Sequence, residues 1–434
     1  MRIAFFSPVS PQKTGIADYS EQEILPYLSK YFDIDVYIDR GVKPANPDLF
    51  NNFDCYRYDL YRKNAHNYDI PLYQMGNNGY HKFIYDTLLQ YPGITVLHDI
   101  YLHGFFWGQS LAKGDSRRYI EEFKYCYGNR GEKMASEAIL YSVYPEFTAP
   151  LIKRIIDRSV GIICHSEFGM ARVLAEQPDA ICTVISQPFT IKDTYGEITQ
   201  PLKEQVSIIP GLENKYPIIT SFGYISAHKR YDVILNTFRK FLGIYPDAML
   251  IIIGKDNIGL SRKIRDSGLE KQVIITGYVS EDTFTRLLRN SDFCINLRYP
   301  TAGETSRSVL QIMSLAKPVI VSNTGWFSEL PSDTCLKVDV DSYEYEMLYE
   351  FFTLLTERKE IATFLGKNAR EYISNRHDPK VVAKKYSQYI KNILNGNEIL
   401  INSLSRSVVD LGLHEDAVEL FHNRIDEIFC GIQD

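Results

Sequence analysis

Short apolar runs alternate with amphipathic stretches along the chain, and this alternation occurs twice. In the first half, apolar runs with the length and composition of buried strands lie at residues 2–8, 34–38, 54–58, 70–75, 94–98, 160–165 and 183–186. Stretches with one apolar face predict helices between several of them, at 17–28, 81–91, 150–157 and 167–176. Continuous apolar strands separated by helices are typical of a parallel sheet that is covered on both faces.

The same pattern restarts in the second half, after a charged stretch between residues 199 and 215 that contains proline and glycine. Apolar runs predict strands at 218–223, 249–254, 273–276, 293–297, 318–322 and 336–338, with helices at 231–241, 261–267, 281–290, 306–315 and 343–357. We therefore predict an α/β protein of two doubly wound Rossmann-like domains, residues 1–200 and 201–378, that face each other across a cleft. Ligands of such sheets bind beyond the carboxyl ends of the strands, so chemistry is expected in the loops that follow strands.

Composition and charge narrow the class of protein. The 434 residues are 45% hydrophobic and 24% charged, which is enough apolar material for two cores. A net charge of -6 argues against a nucleic-acid binder, because such proteins present a basic face. The 7 cysteines include no C-x-x-C pair, and no apolar run reaches the ~18–20 residues of a membrane span. These features predict a cytoplasmic protein with reduced thiols and no zinc site.

The loop at residues 301–306 holds the densest candidate chemistry. Gly303, Glu304, Thr305 and Ser306 stand directly before a predicted helix. Backbone N–H groups and a helix N-terminus face a ligand in such a loop, and a carboxylate among them suits a polyhydroxylated or phosphorylated substrate. Ordinary capping of a surface helix is the structural alternative.

Loops of the first half also carry polar groups at predicted strand ends. Gly15 lies between the first strand and a helix, where it permits close approach of the backbone to a ligand. The amide side chains of the segment 74–78 suit hydroxyl groups. His98 and Asp99 form a titratable pair where another strand ends. A lone histidine is often structural, so the sequence leaves both interpretations of His98 open.

In the second half, Gly223 ends a predicted strand, and Lys229 and Arg230 precede a helix. Two cations at a helix N-terminus oppose the helix dipole unless an anion is bound there, so they predict a phosphate ligand. A solvated pair of surface charges is the alternative.

Together these motifs resemble the retaining family 4 glycosyltransferases of the GT-B fold. The second half carries elements of that family in order, namely Gly223 with Lys229, Gly277-Tyr278-Val279, Glu304, and Pro318-Val319-Ile320. In the first half, Thr14-Gly15 is similar to the family's N-terminal glycine loop, and His98 matches a histidine that approaches the donor sugar. The resemblance covers about residues 1–390, and the loop around Glu304 suggests a subgroup with the signature GETS.

The resemblance implies a donor site built around a sugar nucleotide. Lys229 would contact the diphosphate, and Arg230 or Arg307 would replace an arginine that the family places where Tyr224 stands here. Tyr278 and Val279 would border the nucleobase.

The family's two acids, eight residues apart, align here with Gly303 and Gln311. The resemblance therefore implies that Glu304 faces the sugar and that Gln311 hydrogen-bonds a ribose hydroxyl. Thr305 and Ser306 would complete the donor-binding set. Either the leaving phosphate deprotonates the acceptor, or His98 or Asp99 assists; the sequence leaves both routes open.

The activity that the resemblance implies is a retaining, metal-independent hexosyl transfer with no cofactor beyond the nucleotide sugar. The donor would be a nucleotide-diphosphate sugar, UDP favoured over GDP, and the acceptor a glycan, a lipid-linked glycan or a protein glycan in bacterial polysaccharide biosynthesis. The Asp-x-Asp matches at 33–35 and 339–341 are interpreted as strand and turn residues, not as metal ligands. The alternatives are a non-catalytic sugar-nucleotide-binding partner protein, or another GT-B enzyme such as a nucleotide-sugar epimerase or a phosphorylase. Oligomeric state stays open.

Three further segments have predicted roles. Apolar spacing predicts a helix over residues 379–395 and a helical extension over residues 396–434. The resemblance implies that the first of these helices crosses back to the first domain. The segment 101–144 is rich in aromatic and basic residues, which predicts either a lid on the acceptor side or a peripheral contact with the inner face of a membrane.

Overall fold

The computed structural model describes residues 1–191, 212, 214–223 and 225–396, which fall into two units. The first unit contains residues 1–188 and the part of the chain that returns at Pro379, and the second contains residues 189–378. The predicted extension beyond residue 396, the predicted domain boundary near residue 200, and Tyr224 lie outside the described residues.

The first unit is built on a parallel sheet. Its described strands are β1 (Arg2–Phe6), β2 (Asp33–Ile38), β3 (Cys55–Arg57), β4 (Ile70–Met75), β5 (Gly93–Leu97), β6 (Ser159–Cys164) and β7 (Cys182–Val184). They follow the spatial order β3-β2-β1-β4-β5-β6-β7, and every pairing is parallel. The order reverses between β1 and β4, so the topological switch point of this sheet lies where these two strands end.

Helices cover both faces of this sheet, as its continuous apolar strands require. They are α1 (Gly15–Asp18), α2 (Leu25–Leu28), α3 (Pro47–Asn52), α4 (Tyr61–Asn64), α5 (Lys82–Leu88), α6 (His103–Gln109), α7 (Ser116–Tyr141), α8 (Lys153–Ile156) and α9 (Glu167–Glu176). A π-helical segment, Tyr19–Ile24, joins α1 to α2. All six residues of β4 are buried, which places this strand in the centre of the core.

The second unit repeats the architecture. Its described strands are β8 (Ile218–Phe222), β9 (Met249–Ile253), β10 (Val273–Gly277), β11 (Phe293–Asn296), β12 (Val319–Ser322) and β13 (Leu336–Val338). Their spatial order is β10-β9-β8-β11-β12-β13, again with parallel pairing. The switch point of this sheet lies between the ends of β8 and β11.

The helices of the second unit are α10 (Tyr231–Leu242), α11 (Leu260–Asp266), α12 (Glu281–Asn290), α13 (Arg307–Ser314), α14 (Glu344–Glu357) and α15 (Lys359–Arg376). One glycine of α15 has a packing reason. A Cβ atom on Gly366 would lie 2.0 Å from the carbonyl oxygen of Ala316, so only glycine lets α15 approach the chain after α13 this closely.

The last described helix, α16 (Pro379–Asn395), belongs to the first unit. Val382, Tyr386 and Ile390 are buried in the core beside residues of β1, β2 and β4. The hydroxyl of Tyr386 lies 2.7 Å from that of Tyr19, and the Tyr389 hydroxyl accepts a hydrogen bond from the backbone N–H of Ile162 in β6 at 3.1 Å. Therefore α16 closes one face of a sheet that begins at Arg2.

Every strand predicted from the apolar runs overlaps an observed strand, and the differences lie in the helices. The helix predicted at 17–28 is confirmed as helical throughout, but it begins at Gly15 and is divided into α1, a π-helical segment and α2, since Pro26 has no N–H to donate. The apolar pattern also missed α7 and α15. Both are polar over most of their surface, and α7 changes direction at Gly128, where φ is 62°. Among the described residues, no helix combines the length and apolar composition of a membrane span.

Candidate active site

The switch point of the second sheet gathers buried polar groups. Gly223 follows β8 with a φ of +100°, a conformation that favours glycine. The chain then makes a single turn, Ala227–Lys229, whose last residue is held against the ends of β8 and β11. The Lys229 Nζ donates to the carbonyl oxygen of Phe222 and to the Asn296 Oδ1, both at 3.2 Å.

Lys229 is an unneutralised buried ammonium. Its side chain is 4% exposed, and no carboxylate pairs with it among the described residues. Burial lowers the pKa of Lys229 well below its usual value, and the neighbouring Arg298 lowers it further. In the part of the chain that the structure describes, the Asn296 Nδ2 is also buried without a hydrogen-bond acceptor. Two donors without a counter-charge at a strand end favour binding of an anion.

Arg298 is the second cation of this site, and it was not among the residues predicted from the sequence. It follows β11 by two residues, and its backbone N–H donates to the Ser322 Oγ at 2.9 Å. The guanidinium forms an ion pair with Glu304 and lies 5.7 Å from the ring of Phe327. The side chains of Arg298 and Glu304 are 12% and 20% exposed, so this ion pair is largely shielded from solvent. The feature of the sequence that could have indicated Arg298 is its position directly after the apolar strand predicted at 293–297.

The Glu304 loop holds its carboxylate through local contacts. Gly303 has a φ of +79°, and its N–H donates to the Thr301 Oγ1 at 3.1 Å. The Thr301 hydroxyl in turn donates to the Glu304 Oε2 at 3.3 Å. Thr305 is half-buried, and its Oγ1 has no hydrogen-bond partner among the described residues. Ser306 is buried and precedes α13, where its carbonyl accepts from Val309 and Leu310 rather than its hydroxyl capping the helix.

The other predicted cations, Arg230 and Arg307, have contacts of their own. Arg230 has a φ of 57° and forms a two-point ion pair with the buried Glu344. Its charge is therefore already neutralised within the second unit. The Arg307 guanidinium lies 5.5 Å from the ring of Phe189.

The predicted nucleobase residues follow β10, and the predicted ribose residue lies on α13. Gly277 ends β10 with a φ of +73°, and the Tyr278 side chain after it is 92% exposed. Val279 is half-buried and packs on the core. Gln311 is half-buried on α13, and its side chain makes no hydrogen bond to the described residues. An exposed ring and an unused amide are available to a ligand.

In the first unit, a buried acid holds the loop after β1. The Glu21 carboxylate accepts from the backbone N–H of Ser10 at 2.6 Å, from the Ser10 hydroxyl at 3.0 Å and from the Asn46 Nδ2 at 3.0 Å. This loop leads to Thr14, whose hydroxyl accepts from the Ile16 N–H at 3.4 Å and caps α1. Gly15 is exposed, and a Cβ there would meet no atom of the described residues within 4 Å, so the space beside it is open.

His98 and Asp99 follow β5 and face different partners. The His98 Nε2 lies 2.9 Å from the Gln74 Oε1, and its ring contacts the ring of Tyr19 edge-on, with the centroids 4.6 Å apart. Burial lowers the pKa of His98 well below its usual value, with smaller effects of His165 and His81 in the same direction. The Asp99 Oδ2 accepts from the backbone N–H of Asn77 at 2.8 Å, which fixes the loop after β4.

Two further histidines lie beside His98, and neither was among the residues predicted from the sequence. The Nδ1 atoms of His81 and His165 donate to the carbonyl oxygens of Gln74 at 2.9 Å and Ile185 at 2.8 Å. Burial lowers the pKa of each to about 4, so both rings are neutral near neutral pH. They are packing residues that keep the surroundings of His98 uncharged.

The described residues contain no group of three or more acidic, histidine or cysteine side chains arranged to hold a metal ion. The two Asp-x-Asp matches have other contacts. Asp35 in β2 pairs with Arg2 at 2.8 Å, and the Asp341 Oδ1 accepts from the N–H of Tyr343 at 2.7 Å at the start of α14.

Comparisons with known proteins identify a related sequence family and similar folds. Residues 203–372 match the model of the family described as glycosyl transferases group 1. A stretch of 126 residues is 25% identical to mannosylfructose-phosphate synthase of Agrobacterium fabrum, a match that covers 26% of this chain and 27% of that protein. The chain thus spans about a quarter of the length of this curated relative.

Solved structures extend the likeness to both units. The crystal structure of Anabaena HepE in complex with UDP matches 90% of this chain and 100% of its own, with a TM-score of 0.63 and 15% identity. HepE in complex with UDP-glucose has a TM-score of 0.62. Sucrose-phosphate synthase from Thermosynechococcus elongatus matches 91% of this chain and 100% of its own, with a TM-score of 0.60 and 13% identity. The predicted α/β fold of two Rossmann-like domains, shared with GT-B glycosyltransferases, is confirmed.

Proposed function

We propose that this protein is a retaining glycosyltransferase that takes its sugar from a nucleotide-diphosphate donor, with UDP favoured over GDP. The observation that carries the proposal is the buried ammonium of Lys229, which has no carboxylate partner among the described residues and stands at the switch point of the second sheet. A buried cation of this kind needs an anion, and the switch point is where doubly wound sheets bind nucleotides.

The comparisons support the same class of ligand. The family match covers the second unit, which holds Lys229 and Arg298. The likeness in fold includes HepE in complex with UDP and with UDP-glucose, and the relative matched by sequence is named as a sugar-phosphate synthase. A nucleotide sugar therefore fits both the local chemistry and the neighbours.

The chemistry follows from the charge that develops when the sugar leaves. Breaking the bond between the anomeric carbon and the phosphate oxygen places negative charge on the departing diphosphate. Lys229 would neutralise this charge directly. Arg298 would contribute a second cation once its guanidinium turns part of its hydrogen bonding from Glu304 to the phosphate. This pair replaces the pairing of Lys229 with Arg230 expected from the sequence, because Glu344 already neutralises Arg230.

The remaining residues of the site would contact other parts of the donor. Gly223 gives the diphosphate room beside the backbone, and Tyr278 and Val279 border the nucleobase. Gln311 binds a ribose hydroxyl. Glu304 orients Arg298 and lies beside the sugar, with Thr305 and Ser306 in the same loop.

The first unit would recognise hydroxyl groups. Gly15 leaves space for the ligand, and His98 and Asp99 stand at the end of β5, next to the switch-point strand β4. We propose a glycan, lipid-linked or protein-glycan acceptor, a cytoplasmic location and a mechanism without an essential metal.

Calorimetric titration of protein treated with a chelator tests the donor site. UDP, GDP, ADP and their glucose conjugates are titrated into the wild type, Lys229→Met and Lys263→Met. The last variant is the control, because Lys263 is half-exposed and pairs with Asp232 on the surface of the same unit. We expect UDP-glucose to bind the wild type and the control alike, and Lys229→Met to bind about 10–100-fold more weakly, the share of one charge-assisted hydrogen bond.

Misfolding is separated from loss of binding by thermal unfolding. Removing a buried ammonium that has no carboxylate partner should leave Lys229→Met at least as stable as the wild type. No binding by any nucleotide, or equal binding by Lys229→Met, would overturn the donor site. Donor binding without hydrolysis or transfer to any glycan acceptor would indicate the non-catalytic alternative, and inversion at the anomeric carbon of the product would contradict retention.

A further inference from the structure

Gln74 connects two histidines at the carboxyl edge of the first sheet. It is the fifth residue of β4, and its side chain is fully buried. Its backbone carbonyl accepts the hydrogen bond from His81, and its side-chain Oε1 lies 2.9 Å from the His98 Nε2. Gln74 therefore contacts His98 through its side chain and holds the neighbouring His81 through its backbone.

The proton positions on the neighbouring rings follow from their partners. A carbonyl oxygen can only accept, so His81 and His165 each carry their proton on Nδ1, next to the carbonyls of Gln74 and Ile185. Besides Gln74, the side chains that face His98 among the described residues are these two neutral rings and the phenol of Tyr19. Asp99, its chain neighbour, directs its Oδ2 to the backbone N–H of Asn77. With these surroundings, the Gln74 amide is the contact that selects between the two neutral forms of His98.

A buried amide at position 74 would be unfavourable if the Gln74 side chain served only to fill space in the core. Its Nε2 is buried and has no hydrogen-bond partner among the described residues. An apolar side chain at this position would avoid the loss of hydration that the amide suffers. The bond from its oxygen to His98 gives the residue a reason to be polar.

We infer that Gln74 is a positioning residue, whose Oε1 keeps the proton of His98 on Nε2 and so presents the lone pair of Nδ1 to a substrate hydroxyl. His98 is half-buried, and its Nδ1 has no hydrogen-bond partner in the part of the chain that the structure describes, which leaves this nitrogen for a ligand. The second half of the inference rests on the proposed function. The first half concerns the free protein and can be tested without any substrate.

The proton position is measured by NMR of the full chain with ¹⁵N-labelled histidine. A protonated ring nitrogen resonates far from an unprotonated one, and the His98 signals are identified by their loss in His98→Asn. We expect wild-type His98 to carry its proton on Nε2. A proton on Nδ1, which the opposite orientation of the Gln74 amide would produce, or a mixture of both forms, would overturn the inference.

Gln74→Met tests the cause, because methionine fills a similar volume without accepting the hydrogen bond. His98 in this variant should show a mixture of its two neutral forms, whereas Gln90→Met, a change on the surface of the same unit, should leave the wild-type form. An unchanged proton position in Gln74→Met would contradict the role of Gln74. The wild-type spectrum still decides the matter if Gln74→Met fails to fold.

Kinetics then tests the link to substrate. With UDP-glucose as donor, kcat/KM of Gln74→Met should fall about tenfold, the share of one neutral hydrogen bond, and that of Gln90→Met should not change. A wild-type protein with no turnover would refute the proposed function and leave the NMR result standing. Normal turnover in Gln74→Met with a disturbed proton position would refute only the contact between Nδ1 and substrate.

Discussion

The buried ring of His81 should make the first unit sensitive to mild acid. It is 0% exposed, and burial lowers its pKa from 6.5 to about 4. Between pH 6.5 and about 4, the unfolded chain therefore binds a proton at His81 that the folded chain does not bind. The contribution of His81 to stability is complete above about pH 6.5 and is lost as the pH falls toward 4.

The magnitude follows from the two pKa values. A shift from 6.5 to about 4 is a loss of about 3 kcal/mol once the pH lies below both, and about 2 kcal/mol of this is already lost at about pH 5. His165, with the same pKa of about 4, adds a similar term of the same sign. The effect of His81 is thus a substantial part of the ~5–15 kcal/mol that stabilises a typical domain.

The perturbation is His81→Asn, because the asparagine Nδ2 can donate to the Gln74 carbonyl in place of the ring Nδ1. The smaller side chain leaves a cavity that destabilises the protein equally at every pH, so the pH dependence isolates the proton. Urea unfolding is followed at about pH 7.5 and about pH 5 by the fluorescence of Trp107, in a Trp326→Phe background that leaves one tryptophan, in the first unit.

Between these two pH values, His81→Asn should lose about 2 kcal/mol less free energy of unfolding than its parent. His66→Asn serves as the control, since His66 is exposed in the folded protein and should leave the pH dependence unchanged. Equal losses in His81→Asn and its parent would refute the reasoning, because the proton taken up on unfolding would then bind elsewhere.

Two further predictions concern Lys229 and Gly366 of the second unit, the latter with a comparison in the first unit. Burial lowers the pKa of Lys229, and a bound diphosphate would oppose that shift. Proton uptake on binding of UDP-glucose, measured from the dependence of the binding heat on the ionisation enthalpy of the buffer, should therefore increase in the wild type as the pH is raised from neutral, but not in Lys229→Met. A wild-type binding heat that does not depend on the buffer at any of these pH values would contradict the prediction. Gly366→Ala should lower the free energy of unfolding by about 1–3 kcal/mol, because the new Cβ meets the carbonyl of Ala316. Gly108→Ala in α6, where a Cβ meets nothing within 4 Å, should instead raise it by about 0.5–1 kcal/mol, and chemical unfolding that shows a gain for both would disprove the packing argument.

The sheets could be predicted from the sequence because their strands are buried on both faces. The run in β9 is apolar without interruption, and β4 is buried over its whole length although it contains Gln74; few other structures explain such runs at regular intervals. The helices α7 and α15 escaped prediction because their surfaces are mostly polar, so apolar periodicity carries little information about them.

The site could be predicted only as far as chain order shows it. Lys229 and Glu304 were found because each follows a glycine and a strand. The contacts that define their roles join distant residues: Arg230 pairs with Glu344, 114 positions away, and His98 meets Gln74, 24 positions away. A sequence shows that a cation is present, but the fold decides which cation is already neutralised.

The return of α16 to the first unit has a consequence for how the protein is made on the ribosome. The face that α16 covers, including Ile3 and Leu72, is synthesised more than three hundred residues before Tyr386 and Ile390 emerge to cover it. The second unit, by contrast, is continuous in the chain and can complete its core while synthesis proceeds. We therefore expect the unit that is translated first to finish folding last, with an apolar surface that requires protection by a chaperone during the delay.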